Sequence, residues 1–483
     1  METEVAIVGA GPAGLSAAVA ASEVGCQVTI VDAYARPGGQ YYKQMPGEFH
    51  PRRPGTLYHD FAQAQQLFAR IHDHPRVQVL SGTTVWTAQA ASTNGSPVTL
   101  YLNTGAGSVE LRAEKVILAP GAYDRVLPFP GWDLPGVMTM GAAQTLVKSQ
   151  RVLPGQRVVL SGSGPFLLPV AAGLAQAGAR VVGVYEATTP QQWSRHTLKV
   201  WNQWDKLWEG GDYIRQMRKQ GVPLHFGRAV IQASGDERVQ RVTVARLSAD
   251  WQPIVGSEEQ IEVDAACIGY GFLPSLELSY LLGCAHRYDP IQTTFVVQHD
   301  ADMQSSHAGV FVAGEITGIG GSAVAMPQGA LAGLAVARQL GHLSKNAAQE
   351  KMAPYHKALR HRQAFAVLLQ RLFQLRPGWL SWMTAETLVC RCEEVPFQQI
   401  EAAIKDDHAH DVKAVKAMTR CGMGLCQGRV CGHAVTTITA KLTGQNAEHL
   451  GTMTQRPIAR PITLSSILNS ASMQHPQTEQ HPS

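Results

Sequence analysis

The chain has no apolar run of about 18 residues, no cluster of basic residues and no CxxC pair between residues 33 and 160. The first absence argues against a transmembrane helix. A formal net charge of +4, with both signs interspersed, argues against a nucleic-acid partner. A disulfide reductase needs a cysteine pair that takes reducing equivalents from flavin, so thioredoxin-reductase chemistry is not expected.

The N-terminus also lacks the basic region, apolar stretch and cleavage site of a signal peptide. It enters an apolar strand, VAIVGAG, almost at once. The cytoplasm is therefore the expected location, with a peripheral position at the inner membrane as the alternative. A length of 483 residues predicts three units at about 150 residues per domain.

Two segments show the order strand, glycine-rich turn, helix, strand. These are residues 4–31 and residues 157–186. Such a unit implies a parallel sheet, because the helix crosses over between strands that run in the same direction. The predicted fold class is therefore α/β, with two dinucleotide-binding, Rossmann-like domains.

The first glycine-rich turn is Gly9-Ala10-Gly11-Pro12-Ala13-Gly14. Gly9 permits the tight turn, Gly11 lets the backbone approach a pyrophosphate, and Gly14 allows close packing of helix and strand. The helix that starts around Pro12 and Ala13 offers unpaired N–H groups and the positive end of its dipole. Asp32 ends the second strand, where its carboxylate can accept hydrogen bonds from a ribose.

The second glycine-rich turn is Gly162-Ser163-Gly164-Pro165-Phe166-Leu167. Leu167 replaces the third glycine, so the helix is expected to stand off from the strand. Glu186 still ends the second strand, but no arginine pair follows it to hold a 2′-phosphate. Three interpretations stay open here: an NAD(P)H site, a site for another adenine nucleotide such as ATP, or a structural remnant.

Five of the eight cysteines lie between residues 390 and 431. Four thiolates can hold a [2Fe–2S] cluster or a zinc ion. Zinc sites usually space paired cysteines by two to four residues, so the single-residue gap between Cys390 and Cys392 favours the cluster. The other two ligands come from Cys421, Cys426 and Cys431, and either Cys421 or Cys431 could be the spare.

Three further stretches resemble the flavoprotein disulfide-reductase-like superfamily with two dinucleotide domains: Arg36–Gln40, Leu118–Ala122 and Gly309–Glu315. In that superfamily the first unit binds FAD. The helix at Met326–Gly329 would then aim its N-terminus at the isoalloxazine. The FAD contacts that the resemblance implies, beyond the first turn and Asp32, are Gly39, Gln40, Val85, Pro120, Gly121, Gly314, Glu315 (where the superfamily most often has Asp) and Gln328.

The chain from Gly9 to about Pro461 resembles the FAD-containing α-type subunits of opine oxidases, dye-linked L-proline and D-hydroxyproline dehydrogenases, and hydrogen cyanide synthase. Supporting stretches are Leu127–Trp132, Gly269–Pro274, Gly318–Gly321 and Val389–Glu394. The resemblance implies a C-terminal [2Fe–2S] domain like that of bacterioferritin-associated ferredoxin (BFD). Its ligands would be Cys390, Cys392, Cys426 and Cys431, with Cys421 nearby and unbound.

The expected organisation is an FAD domain of residues 1–145 and 270–345, with a second dinucleotide-like domain, 146–269, inserted in it. A helical linker at 346–384 leads to the BFD-like domain at 385–455, and a partly disordered tail, 456–483, follows. The aromatic stretch Trp379–Trp382 is interpreted either as a docking surface or as a packed linker.

The resemblance also implies a heteromeric complex. A separate glycine-oxidase-like flavoprotein would oxidise a C–N bond, and a small ferredoxin-like protein is a further candidate partner. This chain would carry the electrons through its FAD and cluster, so no catalytic residue is assigned. The alternatives are a stand-alone NAD(P)H-dependent oxidoreductase, and a zinc-stabilised scaffold that keeps flavin only for structure.

Overall fold

A computed structural model describes residues 1–49, 61–90, 97–191, 204–453 and 458–468, so most of the tail predicted as disordered lies outside the described residues.

The first sheet has seven strands, and the N-terminal strand lies near the middle because its VAIV run is buried on both faces. Ile7 pairs with Ile30 on one side and with Ile117 on the other, both in parallel register. In spatial order the strands are Val77–Leu80, Val28–Val31, Glu2–Val8, Ser108–Leu118, Val98–Asn103 and Thr84–Gln89, with Val310–Val312 beside Ser108–Leu118.

The second sheet has five strands in parallel register. In order they are Leu224–Phe226, Arg180–Glu186, Arg157–Gly162, Ala265–Gly269 and Val137–Thr139. The last strand precedes the predicted boundary at residue 146, so the second unit already begins in the segment assigned to the first. An antiparallel sheet of Arg228–Ser234, Arg241–Arg246 and Glu259–Glu262 packs beside it.

Three short strand pairs complete the sheets: Ala122–Asp124 with Phe272–Pro274, His286–Asp289 with Thr294–Val297, and Leu388–Cys390 with Val395–Pro396. Among the described residues before position 320, the helices are Pro12–Ser22, Phe61–Ile71, Met140–Thr145, Leu146–Gln150 (π), Leu167–Gln176, Trp204–Lys219, Glu277–Leu281 and Gly314–Thr317 (3₁₀).

The helix Pro12–Ser22 packs against the helix Ser322–Gln339. A Cβ at Gly329 would lie 2.0 Å from the Ala13 carbonyl oxygen, and one at Gly333 would lie 2.4 Å from that of Ala17. Glycine at these two positions therefore lets the helices approach backbone to backbone. Ser322–Gln339 begins before Met326, so Met326–Gly329 lies inside the helix and the predicted N-terminus at that stretch is wrong.

The C-terminal region packs on the second dinucleotide-like domain through one continuous apolar core. Trp379 and Trp382 are 1% and 4% exposed, and the Trp382 indole N–H donates to the Trp251 carbonyl at 2.9 Å. The aromatic stretch is therefore a packed linker, and the interpretation as a docking surface is wrong. The elements of this region are Lys345–Leu372, Pro377–Trp382 (3₁₀), Phe397–Lys405, Val412–Thr419 and Gly432–Thr443.

Among the described residues, no helix combines the length and apolar character needed to cross a bilayer.

Candidate functional site

The first glycine-rich turn leaves no room for side chains at two of its positions. Gly9 has φ +102°, and a Cβ there would lie 2.3 Å from the Ala119 carbonyl oxygen. A Cβ at Gly14 would lie 1.8 Å from the Gly9 carbonyl oxygen. These contacts bring the turn against the segment that contains Pro120 and Gly121, as expected if both border one nucleotide.

Gly11 is different, because a Cβ there would meet nothing closer than the Gly39 Cα at 3.9 Å. Gly11 precedes the helix Pro12–Ser22, whose N-terminus has no side-chain cap. The first turn of a helix carries N–H groups without intrahelical partners, and these suit an anion. The free space and the uncapped donors fit the pyrophosphate of a dinucleotide.

The Gly38-Gly39 turn closes over this site. The Gly38 N–H donates to the Ala10 carbonyl at 2.7 Å, and a Cβ at Gly39 would lie 2.8 Å from the Gly11 Cα. The next residue, Gln40, donates from its amide to the Tyr34 hydroxyl at 2.5 Å. The Gly38-Gly39 turn and the first glycine-rich turn, which are separate in the sequence, thus lie in contact in the structure.

Asp32 holds the turn from the adjacent strand. Its carboxylate accepts from the Ala10 N–H at 2.5 Å and from the Tyr34 N–H at 2.7 Å. Burial raises the pKa of Asp32, against these hydrogen bonds and the nearby Lys43 charge. The Thr83 N–H donates to the Asp32 carbonyl at 2.9 Å, which places buried Val85 just beyond this end of the site.

Two residues expected to touch the flavin, Glu315 and Gln328, form hydrogen bonds within their own segment. The Gln328 amide accepts from the Gly314 N–H and donates to the Thr317 hydroxyl, both at 2.9 Å, and the residue is 1% exposed. The Glu315 carboxylate accepts from the N–H groups of Gly320 and Gly321 at 3.1 and 3.0 Å. Burial raises the pKa of Glu315 to about 7. Both side chains therefore shape the loop before Ser322–Gln339.

The second glycine-rich turn differs from the first in where its helix begins and in which of its positions have free space. Its helix starts at Leu167, whereas the first helix starts at Pro12, so it is set further back from its turn. Leu167 is 2% exposed and belongs to the core of this domain. A Cβ at Gly162 would lie 1.8 Å from the Gly269 carbonyl oxygen, but Gly164 has open space around it. The helix therefore starts two residues later in its turn than the first helix does, and the expected stand-off from the strand stays a prediction.

Glu186 bonds within its own turn, much as Asp32 does in the first unit. Its carboxylate accepts from the Gly164 N–H at 2.9 Å, and from the Thr188 N–H and hydroxyl at 2.9 and 3.0 Å. Burial raises the pKa of Glu186 to about 7 despite these bonds. A ribose would have to compete with three internal donors for this carboxylate.

The five clustered cysteines separate into a group of three and a pair. The sulfurs of Cys390, Cys421 and Cys431 all lie within 4.8 Å of one another and are buried. Cys392 is exposed and contacts Cys426, which is partly exposed. Hydrogen bonds from Cys421 and Cys431, aided by backbone N–H groups, lower the pKa of Cys390.

This arrangement fits a two-iron cluster better than zinc. With metal–sulfur bonds of about 2.3 Å, tetrahedral zinc would draw four sulfurs to within about 3.8 Å of each other. Neither Cys392 nor Cys426 joins the three-sulfur group among the described residues. A [2Fe–2S] cluster instead needs one pair of thiolates at each iron. Cys392 with Cys426 offers one such pair, and Cys390 with either Cys421 or Cys431 offers the other. The ligand set that includes Cys431 and leaves Cys421 unbound stays a prediction.

Three residues near these sites were not singled out from the sequence: Lys43, Thr293 and His433. The Lys43 ammonium lies 3.0 Å from the centre of the Tyr34 ring, beside Asp32, and burial lowers the pKa of Lys43 to about 8. Thr293 connects the cluster domain to the FAD domain through His433, which is 140 positions away. Lys43 stands close to the Gly-Gly turn and could have been singled out, whereas Thr293 and His433 belong to no motif.

Comparisons with known proteins agree with this geometry. The model of the pyridine nucleotide-disulphide oxidoreductase family matches residues 3–341, and that of the BFD-like [2Fe-2S] binding domain matches residues 388–441. The chain is 33% identical to hydrogen cyanide synthase subunit HcnB of Pseudomonas protegens over 89% of this chain and 90% of that protein. It is 31% identical to an opine oxidase subunit of Rhizobium meliloti, over 96% and 87% respectively.

The crystal structure of L-proline dehydrogenase from P. horikoshii is similar with a TM-score of 0.68 and 18% sequence identity, covering 96% of this chain and 79% of that chain. That likeness supports the fold. The chain is therefore an FAD-binding oxidoreductase with a [2Fe–2S] domain, and it belongs to the pyridine nucleotide-disulphide oxidoreductase family, together with the opine oxidase and hydrogen cyanide synthase subunits that it resembles.

Proposed function

We propose that this chain is the electron-transfer subunit of a heteromeric complex that dehydrogenates an opine, an amino acid or an imino acid. A glycine-oxidase-like flavoprotein would oxidise the C–N bond, and this chain would accept the electrons and pass them on. The names of the relatives support the proposal, since the opine oxidase and hydrogen cyanide synthase relatives are each one subunit of a larger enzyme. A cytoplasmic location and a small ferredoxin-like third protein stay predictions.

One observation carries the proposal: the domain with the first glycine-rich turn and the domain with the five clustered cysteines are in direct contact. The cluster domain shares its core with the second dinucleotide-like domain. It also contacts the FAD domain through an ion pair in which Arg429 Nε lies 2.8 Å from Glu277 Oε1, both side chains being 10% exposed. A fixed arrangement of this kind suits the transfer of electrons between two cofactors in the same chain.

Separate sets of residues would bind the FAD and the cluster. Gly11 and the start of the helix Pro12–Ser22 would bind the pyrophosphate, and Asp32 would hold the turn that presents them. The thiolates of Cys390, Cys392, Cys426 and Cys431 would hold the two irons. FAD exchanges electrons in pairs or singly, while a [2Fe–2S] cluster accepts one at a time, so the combination converts a two-electron oxidation into single-electron transfers.

A stand-alone NAD(P)H oxidoreductase is the second candidate, favoured by the open space around Gly164. The buried Leu167 and the internally bonded Glu186 argue for the first candidate. We expect that no second nucleotide is needed for electron transfer from the partner.

The test compares the isolated chain with the complex. The chain is purified alone, and also with a glycine-oxidase-like flavoprotein encoded by a neighbouring gene. Both are assayed with opines, proline, hydroxyproline and glycine and an artificial dye. We expect dye reduction only by the complex. Substantial dye reduction by the isolated chain with any of these substrates would place the active site here and refute the proposal.

A further inference from the structure

A tight turn lies between two segments. One is the loop before the helix Ser322–Gln339, called the flavin loop here, and the other is the helix Gly432–Thr443, called the cluster helix. The turn joins the strands His286–Asp289 and Thr294–Val297 and ends in Gln292 and Thr293. Gln292 is 8% exposed, although its side chain is polar. Buried polar groups need hydrogen-bond partners, and the partners of these two residues show what the turn connects.

On the flavin side, Gln292 holds the loop that precedes the helix Ser322–Gln339. Its amide oxygen accepts from the Ile319 N–H at 2.7 Å, and its amide nitrogen donates to Asp289 Oδ2 at 2.8 Å. The next two residues of the loop donate their N–H groups to Glu315. Gln292 and Glu315 thus hold the three loop residues directly before the N-terminus of the helix Ser322–Gln339.

On the cluster side, Thr293 contacts the helix Gly432–Thr443, which follows directly after Cys431. The Thr293 hydroxyl donates to the Gln292 carbonyl at 2.8 Å, so it can only accept from His433 Nε2, 3.2 Å away. This arrangement corresponds to the His433 tautomer that is protonated on Nε2. The same Gln292 carbonyl also accepts from Arg125 Nη2 at 2.5 Å.

The backbone of Thr293 shows that the contact is maintained against a conformational preference. Its φ is +51°, in the left-handed region. A β-branched residue rarely adopts this conformation, and such strain persists only where the surroundings impose it, often at functional sites. The conformation orients the Thr293 hydroxyl so that it bonds both the turn and the cluster helix.

The contact between Thr293 and His433 lies at a cavity between the FAD domain and the cluster domain. Thr293 and His433 line a cavity of about 110 Å³ between the two domains, together with Tyr123, Tyr288 and Thr436. Electron tunnelling falls off faster through open space than through bonded atoms. The bonds from Ile319 through Gln292 and Thr293 to His433 form a continuous path beside this cavity.

We propose that Gln292 and Thr293 are positioning residues that couple the flavin loop to the cluster helix and set the rate of electron transfer between FAD and the [2Fe–2S] cluster. The inference rests on the proposed function. The step oxidises reduced FAD by one electron and reduces one iron of the cluster by one electron, and no covalent bond forms or breaks.

The test uses the full chain with both cofactors bound. The flavin is reduced by a light pulse, and the rise of the reduced-cluster EPR signal is followed after rapid freezing. Thr293→Val removes the hydroxyl but keeps the branched shape, and Thr293→Ser keeps the hydroxyl. The control is Thr436→Val, which lines the same cavity and whose hydroxyl bonds within its own helix.

We expect the rate to fall several-fold in Thr293→Val, because a hydrogen-bonded step of the path becomes a step through space, and to stay near the wild-type value in Thr293→Ser and Thr436→Val. An unchanged rate in Thr293→Val, with flavin content and cluster signal intact, overturns the inference and leaves the proposed function standing. If Thr293→Val loses a cofactor, the same rate is measured in Gln292→Met. A rate that is unchanged in Gln292→Met, with both cofactors bound, then overturns the inference. A wild-type chain that holds both cofactors but never passes electrons between them refutes both.

Discussion

At the scale of single residues, Gly11 and Gly14 have different functions although they belong to one motif. A Cβ at Gly14 collides with the backbone of Gly9, whereas a Cβ at Gly11 points into free space. Gly14 is thus required for folding, and Gly11 for leaving room for the ligand.

We therefore predict that Gly11→Ala leaves the melting temperature of the flavin-free chain unchanged but removes most of the bound FAD. Gly14→Ala should lower that melting temperature, because backbone atoms must move. Flavin absorbance per chain and thermal melting measure the two effects. Gly173→Ala, in the helix Leu167–Gln176, serves as the control, since its Cβ meets nothing within 4 Å. Full flavin retention in Gly11→Ala would show that the pyrophosphate lies elsewhere.

Glu186 predicts a pH dependence. Burial raises its pKa from 4.5 to about 7, so the folded chain keeps a proton that the unfolded chain releases. This contribution to stability is complete below about pH 4.5 and is lost as the pH rises through about 7, at a cost of up to about 3 kcal/mol.

Glu186→Gln removes this titration, so its melting temperature should fall less between about pH 5 and about pH 8 than that of the wild type. The change with pH is the relevant quantity, because the substitution also alters the hydrogen bonds to Gly164 and Thr188. Exposed Glu237→Gln is the control and should follow the wild type. Parallel curves for Glu186→Gln and the wild type would contradict the assignment.

At the scale of elements, the cysteines come from three places: the strand Leu388–Cys390 and the residue pair that follows it, the end of the helix Val412–Thr419, and the turn before the helix Gly432–Thr443. Arg420, with φ +64°, ends the middle helix and turns Cys421 inward. Cys421 is thereby buried against Cys390 and Cys431, and the predicted ligand set leaves it unbound.

Serine at Cys390, Cys392, Cys426 or Cys431 should each abolish the EPR signal of the reduced cluster, because each iron would lose a thiolate. Cys421→Ser should keep the signal, with a shift in its g values since a contacting sulfur is replaced. Iron and acid-labile sulfide per chain provide the second readout. If Cys421→Ser loses the cluster and Cys431→Ser keeps it, then Cys421 is a ligand and Cys431 is not, which contradicts the predicted ligand set.

Local constraints explain what the sequence could predict. The turn at Gly9–Gly14, the acid at Asp32 and the Gly-Gly turn follow from backbone geometry within one strand–helix–strand unit. The resemblance marked Glu315 and Gln328 by position, but it could not show that both side chains bond inward to their own loop. Gln292 and Thr293 were missed because their contacts join distant segments and Thr293 owes its role to a conformation that its residue type disfavours.

At the scale of the whole molecule, the chain is organised around a flavin site and a cluster site in domains that share contacts. Trp379 and Trp382 anchor the cluster domain to the second dinucleotide-like domain, and Arg429 and Glu277 join it to the FAD domain. The second glycine-rich turn differs from the first in the buried Leu167 and in a helix that starts two residues later. Under the proposed function, the electrons come from a partner protein and not from NAD(P)H.

The most direct test of this account is the EPR signal of the cluster under anaerobic conditions. In the complex, addition of the amino acid, imino acid or opine that the partner oxidises should produce the reduced-cluster signal. The same complex made with Gly11→Ala should stay oxidised for lack of FAD, and NADH should give no signal with either. Rapid appearance of the signal when NADH is added to the isolated chain would contradict the account.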